Sequence, residues 1–292
     1  MSDALTPIDT LAERWRDDLV LLTAAAEAAG LRALDYFRKE PDVWWKNEGR
    51  SPVSAADLAA NDILKAMLLS ERPNYGWLSE ETDDDSARLS AETVFVVDPI
   101  DGTRAFIAGK DVWCVSAAVV HRGRPVAGVL VAPALGEIFT AAGDGPALKN
   151  GLTVSVAAPQ ASDALRIAGA EPLVHGLDRR SLGAVHRVAH VPSLAYRLAM
   201  VADGRIDGTL VMPNSHDWDL AAADLILQAA GGRLSRRDGT LLAYNGADVR
   251  HGLLCAAGND LHPALLAASV GIDLSRGMPQ TPSNTVAERD GQ

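Results

Sequence analysis

A short apolar run that ends in two acids is the feature that most limits what this chain can fold into. Residues 93–97, Thr-Val-Phe-Val-Val, are apolar or β-branched throughout, which is typical of a strand buried on both faces. The run stops at the string Asp-Pro-Ile-Asp-Gly-Thr, residues 98–103. Ligands of open α/β sheets bind at the carboxyl ends of strands, so Asp98 and Asp101 are predicted to face a crevice there.

The residue types of this string suit a hard cation and a phosphate group. The carboxylates of Asp98 and Asp101, with a backbone carbonyl nearby, favour Mg²⁺ over Zn²⁺ or Cu²⁺. Gly102 permits a close approach of the backbone, and Thr103 supplies a hydroxyl where free amide groups suit a phosphate oxygen. The alternative is that both acids only cap a helix, which is a common role of Asp. On the string alone, the two interpretations stand equal.

Further acids lie close to this strand in the sequence or open a later helix. Glu80 and Glu81 come just before the strand, and Asp217 and Asp219 open the strongly apolar stretch at residues 220–230. An acid at the start of a helix is commonly a cap, which is the structural role predicted for Asp217. Asp219 directly precedes the apolar run and is the better candidate for a ligand.

Hydrophobic periodicity divides the chain into alternating helices and strands. Steps of three and four predict helices, and short β-branched runs predict strands. The predicted helices span residues 11–37, 57–69, 194–202 and 220–230, and the predicted strands 93–97, 112–120, 126–131, 138–141, 165–168 and 206–212. The composition shifts near residues 142–151, which predicts two α/β halves.

Composition and charge argue against several classes of protein. With 48% apolar and 22% charged residues, the 292-residue chain has enough apolar surface to fold. Its net charge of −11 argues against a nucleic-acid scaffold and an anionic-membrane binder, since both need basic surfaces. A small anionic ligand remains compatible with that charge where metal ions or helix N-termini supply positive charge.

Cysteine usage and the N-terminal sequence predict a cytoplasmic protein. Cys114 and Cys255 both lie in apolar runs, which favours buried, reduced thiols over a disulfide. The N-terminus carries acids where a signal peptide needs a basic start. No apolar stretch of the sequence approaches the roughly 20 residues that span a bilayer.

Three of these motifs together resemble the inositol monophosphatase superfamily. They are the Glu80-Glu81 pair, the string at residues 98–103, and Trp218-Asp219 with Ala221 and Ala222 one residue further on, and the resemblance covers roughly residues 10–260. It implies a layered α-β-α-β-α sandwich of the α+β or α/β class. It also implies a Mg²⁺-dependent, typically lithium-sensitive phosphatase that acts on a small phosphorylated substrate.

The resemblance also implies a role for individual residues. Two or three Mg²⁺ ions would be held by Glu80, Asp98, Asp101, Asp219 and the carbonyl of Ile100. The amides of Gly102 and Thr103 would meet the substrate phosphate, and Asp101 and Asp219 would also contact substrate. Asp57 matches the acid that pairs with Thr103 to activate water, with Glu80 as a further catalytic group. Lys46 matches a basic residue near the metal site and is a candidate for substrate binding.

The same resemblance sets the expected organisation of the chain. Residues 1–145 would form an N-terminal half with most metal ligands, and residues 146–270 a C-terminal half with Asp219 and the elements of substrate specificity. Residues 275–292 lack periodicity and are predicted to be a disordered tail. The polar segment at 46–56 is a candidate mobile lid. A homodimer is expected because family members are often dimers.

The substrate is left open between branches of the superfamily. The segment Ser51-Pro-Val-Ser-Ala-Ala-Asp57 and the triplet Ser79-Glu-Glu resemble 3'(2'),5'-bisphosphate nucleotidases, which remove the 3'-phosphate of adenosine 3',5'-bisphosphate. The Asp-Gly-Thr-Arg-Ala-Phe-Ile sequence also resembles histidinol-phosphatases, and residues 166–190 do not match the nucleotidase pattern. An inositol-1-monophosphatase or another sugar phosphatase is the alternative. A catalytically silent module that binds phosphate or Mg²⁺ is the alternative that is not an enzyme.

The adjacent residues Trp44 and Trp45 have two interpretations. One ring could stack on a purine base through its π-face. Two neighbouring tryptophans more often place one ring in the core and leave the other partly exposed, and this is the prediction we adopt.

Overall fold

The computed structural model describes residues 15–39, 42–46, 51–158 and 163–273. The predicted tail at 275–292 and the first residues of the predicted helix at 11–37 lie outside these ranges. The helices are α1 (Arg16–Leu34), α2 (Ala55–Glu71), α3 (Thr103–Ile107), α4 (Glu171–His175), α5 (Arg179–Leu182), α6 (Leu194–Ala202), α7 (Asp217–Ala229) and α8 (His262–Ser269), with single 3₁₀ segments at Ser86–Ser90 and Pro133–Leu135.

The strands belong to two larger sheets and two small pairs. In chain order they are β1 (Val43–Lys46), β2 (Ser51–Ser54), β3 (Gly76–Ser79), β4 (Thr93–Asp101), β5 (Cys114–His121), β6 (Arg124–Ala132), β7 (Glu137–Ala142), β8 (Leu148–Lys149), β9 (Leu152–Thr153), β10 (Leu165–Ala168), β11 (Val185–Arg187), β12 (Gly208–Val211), β13 (Ser215–His216), β14 (Gly232–Arg236), β15 (Arg250–His251) and β16 (Leu254–Gly258). Strands β1 and β2 form a hairpin, and β13 pairs with β15.

The first sheet is buried on both faces, as the apolar run at 93–97 predicts. Among the described residues it has the order β3-β4-β5-β6-β7-β8-β9, parallel between β3 and β4 and antiparallel elsewhere. Phe95 and Val97 of β4 pack with α1 and α2, whereas Val94 and Val96 pack with α6 and α7 on the other face. Successive side chains of a strand point to opposite faces, so a sheet between two helical layers needs apolar residues at every position.

The second sheet completes a five-layer sandwich. It has the order β11-β10-β12-β16-β14 among the described residues. Leu254 and Ala256 of β16 face α6 and α7, while Cys255 faces the outer layer formed with α4 and α8. The predicted α-β-α-β-α architecture is thereby confirmed, and both cysteines are buried and free. The last strand of the first sheet, β9, ends at Thr153. The division of the chain into two halves at residue 145 stays a prediction.

A glycine sets the distance between the central helices and the first sheet. Gly128 of β6 faces the backbone of Ala222 in α7. A Cβ atom at Gly128 would lie 3.1 Å from both the Cα and the carbonyl oxygen of Ala222. This is closer than ordinary van der Waals contact, so α7 lies against the sheet only because residue 128 has no side chain.

Several predicted elements differ from those in the structure. The predicted helix at 57–69 starts at Ala55, because Ser54 and Asp57 form a capping box around its first turn. The helix predicted at 220–230 starts at Asp217. Periodicity missed the short strands β1, β2 and β3, which contain too few residues to show alternation. The prediction that one tryptophan of the pair is core is wrong: Trp44 is 48% exposed and Trp45 is 60% exposed.

Candidate active site

The parallel pairing of β3 and β4 brings two of the predicted acids side by side. Ser79 lies opposite Val97 at the carboxyl ends of the two strands. The next residue of each strand is therefore Glu80 on one side and Asp98 on the other, and Glu80 N donates to the Val97 carbonyl over 3.3 Å. The crevice predicted from the sequence lies at this edge of the sheet.

An irregularity in β4 turns the second acid of the string toward the same cavity. Asp98 pairs with Ser116 and Asp101 with Cys114, so three steps along β4 match only two along β5. In a regular strand, residues three apart point to opposite faces of the sheet. The extra residue removes that alternation, and Asp98 and Asp101 both line one cavity.

Helix α7 supplies the third acid of the cluster. Asp219 Oδ2 accepts a hydrogen bond of 2.7 Å from the backbone N–H of His216, which closes the first turn of the helix. The Ser116 hydroxyl donates to the Trp218 carbonyl over 3.1 Å and ties this turn to β5, beside Asp98. One carboxylate oxygen each of Glu80, Asp98 and Asp219 then lies within 4.8 Å of the others.

The charge of this cluster suits a positive ion. Burial raises the pKa of Asp98 well above its usual value, and the neighbouring Glu80, Asp101 and Asp219 carboxylates raise it further. Like charges held together in a buried position disfavour their own ionisation unless a cation offsets them. Three carboxylates at this spacing are oxygen donors of the kind that hard divalent cations bind, so the donor set fits the Mg²⁺ expected from the sequence.

Asp101 is engaged by the C-terminal half of the chain. Its carboxylate accepts hydrogen bonds from the amides of Ala195 and Leu194, at 2.7 and 3.2 Å, and from the Ser193 hydroxyl. Burial and the nearby Asp219 raise the pKa of Asp101 to about 7, although these hydrogen bonds lower it. Asp101 therefore caps α6, 92 residues further along the chain, and not the helix that follows it directly. The helix that follows Asp101 directly is α3, and no side chain caps it. Its N-cap residue is Gly102, whose backbone has the left-handed conformation (φ 99°).

Asp57 and Thr103 form the pair expected to activate water. The Thr103 hydroxyl lies 3.1 Å from Asp57 Oδ1 and 3.0 Å from the Ile100 carbonyl. The other carboxylate oxygen of Asp57 accepts from the backbone N–H and the hydroxyl of Ser54, at 2.8 and 2.6 Å. Burial raises the pKa of Asp57 to about 6, against the lowering by these hydrogen bonds. The cap of α2 thus also holds Asp57 in one orientation.

Six of the predicted site residues line one cavity of about 230 Å³, and Asp57 lies behind it, in contact with Thr103. Its walls include the side chains or backbone of Pro52, Glu80, Asp98, Asp101, Gly102, Thr103, Arg104, His190, Pro192 and Asp219. Ile100 contributes its carbonyl at the base of the string, whereas its side chain is buried in a separate apolar cluster. The side chain of Lys46 lies outside the described part of the structure.

Sequence reasoning missed Ser193, His190 and Pro192, which the fold brings to this cavity from the C-terminal half. No motif identifies them, because they approach the string only through the packing of α6 and its preceding segment. Asp217 has a structural role, as predicted, but it does not cap α7, whose N-cap residue is His216. Asp217 is buried and binds His251 Nε2 and the Asn245 amide, at 2.7 and 2.6 Å, so it joins α7 to later loops.

Comparison with known proteins identifies the family. The model of the inositol monophosphatase family matches residues 15–273. The chain belongs to this family. Its relatives include an inositol-1-monophosphatase of Mesorhizobium japonicum, 36% identical over 225 residues, which are 74% of this chain and 82% of that protein. A 3'-phosphoadenosine 5'-phosphate phosphatase of Mycobacterium leprae is 35% identical over 261 residues, 85% of this chain and 92% of the other.

A histidinol-phosphatase of Mycobacterium tuberculosis is 33% identical over 256 residues, 82% of this chain and 95% of that protein. Among solved structures, the extragenic suppressor protein suhB from Bartonella henselae superposes with a TM-score of 0.74 at 29% identity. The match covers 90% of this chain and 100% of that one.

These relatives establish the class of reaction. The chain is a phosphoric monoester hydrolase that acts on small phosphorylated substrates, which argues against the alternative of a catalytically silent module. Members of the family are generally metal-dependent and typically lithium-sensitive, and the cluster of Glu80, Asp98 and Asp219 could bind a metal. Within the described ranges, no helix has the length and apolar character needed to cross a membrane.

Proposed function

We propose that this phosphatase uses Mg²⁺ to remove the 3'-phosphate of adenosine 3',5'-bisphosphate. The observation that carries the proposal is one cavity of about 230 Å³ lined by the acidic cluster and by Thr103, whose hydroxyl lies 3.1 Å from Asp57 behind it. A phosphate monoester needs positive charge for its oxygens and a base for the attacking water. The acidic cluster would hold the cations that supply the positive charge, and the Thr103–Asp57 pair would supply the base.

Glu80, Asp98 and Asp219 are the residues that would hold the metal, with Asp101 and the Ile100 carbonyl as further ligands. When bound, Mg²⁺ ions neutralise the phosphate oxygens, lower the pKa of water and stabilise the leaving oxygen. The positive charge of the Mg²⁺ ions and the negative charge of the carboxylates offset each other. A protein of net charge −11 can therefore still bind an anionic substrate at this site.

The Thr103 hydroxyl orients the attacking water. Its single proton can go to the Asp57 carboxylate or to the Ile100 carbonyl, which lie at similar distances. The ionised carboxylate is the stronger acceptor, so the proton points toward Asp57. A lone pair of Thr103 Oγ1 is then available to accept a proton from water in the cavity. Asp57 performs this role only when it is ionised.

The turn that precedes α3 is suited to the transferred phosphate. Gly102 and Thr103 begin a helix whose first amides have no partner within the helix. A side chain at residue 102 would disturb this turn, because its Cβ would lie 3.3 Å from both the Ser193 Cβ and the Val112 carbonyl. Backbone amides at this position would donate to phosphate oxygens without adding bulk.

The choice of a nucleotide substrate rests on two observations. The segment before Asp57 and the triplet that starts at Ser79 resemble bisphosphate nucleotidases, and a relative named 3'-phosphoadenosine 5'-phosphate phosphatase matches 85% of the chain. A second cavity of about 290 Å³ adjoins the first and gives room for a large leaving group. The inositol-1-monophosphatase and the histidinol-phosphatase among the relatives make inositol 1-phosphate and histidinol phosphate the competing candidates.

Phosphate release from three substrates tests this proposal. Adenosine 3',5'-bisphosphate, inositol 1-phosphate and histidinol phosphate are compared with Mg²⁺, with EDTA and with added Li⁺. We expect kcat/KM for the nucleotide to exceed the others by about a hundredfold, a difference of roughly 2.7 kcal/mol. Preference for another substrate would overturn the nucleotidase assignment but not the mechanism. Turnover that persists in EDTA would overturn the metal dependence.

We also propose that the protein is a cytoplasmic homodimer. The dimer is supported by family membership, and the location is supported by the two cysteines, which are buried and free. Sedimentation velocity tests the first proposal, since a single species with the mass of one chain at micromolar concentration would contradict it. Cell fractionation tests the second.

A further inference from the structure

The second cavity begins where the active-site cavity ends. Its volume is about 290 Å³, and it shares His190 and Pro192 with the cavity that holds the acidic cluster. Its walls are mostly apolar and come from Ala170, from β12 with the residues that follow it, and from the start of α6, with Leu194, Leu210 and Met212 among them. A leaving group attached to a phosphate in the first cavity would extend into the second.

Two polar groups without partners line this otherwise apolar cavity. Arg197 lies in the first turns of α6, and within the described residues its side chain makes neither a hydrogen bond nor an ion pair. Its Nε atom is buried without an acceptor. The hydroxyl of Ser215, which also lines the cavity, is likewise buried without a partner among the described residues. Buried polar groups are normally hydrogen-bonded, so two such groups facing one cavity indicate a missing ligand.

The charge of Arg197 specifies the kind of ligand. Burial lowers the pKa of the guanidinium, while the nearby Asp101 carboxylate raises it, and a guanidinium stays protonated in proteins. Among the described residues Arg197 and Asp101 form no hydrogen bond or ion pair, and the Asp101 carboxylate binds the Ser193 hydroxyl and the amides of Leu194 and Ala195 instead. A buried cation without a counter-charge is costly, and an anion that enters the cavity would offset that cost.

We propose that Arg197 and Ser215 form a subsite for a second anionic group on the leaving alcohol of the substrate. The subsite selects phosphate monoesters that carry a further phosphate, and it rests on the proposed function, in which that group is the 5'-phosphate of the nucleotide. A guanidinium presents its N–H groups in a planar fork that matches two phosphate oxygens. The same charge disfavours histidinol phosphate, whose leaving alcohol carries a cationic amine, and gives no advantage to the neutral inositol.

The test compares two substrates that differ only in the 5'-phosphate. With the wild-type protein, kcat/KM for adenosine 3',5'-bisphosphate should exceed that for adenosine 3'-monophosphate. In the Arg197→Gln variant, kcat/KM for the bisphosphate should fall about thirtyfold or more, because a desolvated charge pair is lost. Turnover of the monophosphate should stay within about twofold, which excludes a general structural defect. Arg197→Lys should recover part of the loss.

A binding measurement and a matched control complete the experiment. Adenosine 5'-monophosphate keeps the 5'-phosphate, so calorimetry should show weaker binding to Arg197→Gln, with no change in the weak binding of adenosine. Arg180→Gln removes a cation whose side chain is 91% exposed and should change neither measurement. Equal losses on both substrates, or no loss on the bisphosphate, would overturn the subsite. A wild-type protein that does not hydrolyse the bisphosphate would instead overturn the proposed function.

Discussion

The Thr103 hydroxyl donates a hydrogen bond to Asp57 across 46 residues of sequence. This contact joins the first turn of α2 to the turn that follows β4, and both partners have other tasks in the fold. Asp57 completes the capping box of α2, and Thr103 begins α3. The pair is therefore held in position before any substrate binds, which is the geometry that general base catalysis requires.

Replacement of Asp57 by asparagine should lower kcat by about two to four orders of magnitude, the usual contribution of a positioned general base. The amide keeps the size of the side chain but no longer accepts the Thr103 proton as an anion. Mg²⁺ affinity should change little, because Asp57 lies outside the Glu80, Asp98 and Asp219 cluster. Steady-state kinetics and calorimetric titration with Mg²⁺ measure the two effects separately.

Asp62→Asn is the matched control for this variant. Asp62 lies on the same helix, is exposed, and loses the same charge when it is replaced. Its kcat should equal that of the wild type. Near-normal turnover by Asp57→Asn would remove Asp57 from the mechanism.

Thr103→Val should reduce kcat as strongly as Asp57→Asn, because valine has the shape of threonine without the hydroxyl. The double variant should be little worse than either single variant, since residues that act as a unit lose their effect together. Thr103→Ser keeps the hydroxyl and should retain most activity. Losses that add in the double variant would show that the two residues act independently.

Most of the acidic cluster could be predicted because it depends on local sequence. The buried strand and its string place Asp98 at a sheet edge, and the apolar helix places Asp219 at a helix start. The strands β3 and β4 are parallel, and their register then brings Glu80 beside Asp98. To place each of these acids, one needs to know only where a strand or a helix begins or ends, and residue patterns indicate such positions.

The partners of Asp101 and Arg197 could not be predicted in the same way. Asp101 caps α6 from the other half of the chain, and Arg197 is notable only because its side chain lacks a partner. Both properties arise from the packing of α6 between two sheets. Likewise, the sequence does not show that Gly128 meets Ala222, since no pattern records contacts between distant residues.

Metal-free protein should become less stable as the pH rises from about 4 to about 7. The folded state raises the pKa of Asp57 to about 6 and of Asp101 to about 7, from a usual value of 3.8. The folded protein thus binds protons more tightly than the unfolded chain, and this stabilisation is lost as the pH rises through the folded pKa values. For Asp57 alone the change is about 3 kcal/mol, at 1.36 kcal/mol per pKa unit.

Thermal unfolding at pH 5 and pH 8 checks this prediction. In EDTA, Tm should be lower at pH 8, and saturating Mg²⁺ should raise it more at pH 8 than at pH 5 because cations replace protons on the cluster. The Asp57→Asn variant should show a weaker pH dependence. A Tm that rises between these pH values in EDTA would contradict the prediction.

Glu80→Gln should raise the Mg²⁺ concentration for half-maximal activity by about tenfold or more, as expected when a metal site loses a charged ligand. The amide removes one of three clustered carboxylates and retains the size of the side chain. Asp83→Asn, an exposed acid three residues further along, should leave that concentration unchanged. Equal metal dependence in both variants would place the metal elsewhere.

Gly128→Ala should destabilise the protein by about 1–3 kcal/mol, the usual cost of forcing a methyl group into a packed core. The new Cβ would lie 3.1 Å from the Ala222 backbone, so α7 must move away from β6. Asp219 is in the first turn of α7, and its distance from Asp98 should increase with that movement. The Mg²⁺ concentration for half-maximal activity should therefore rise as stability falls.

Gly252→Ala is the matched control. It adds a methyl group where nothing lies within 4 Å and should change neither property. A Gly128→Ala protein that loses stability but keeps wild-type Mg²⁺ dependence would show that the sheet, and not the helix, absorbs the strain.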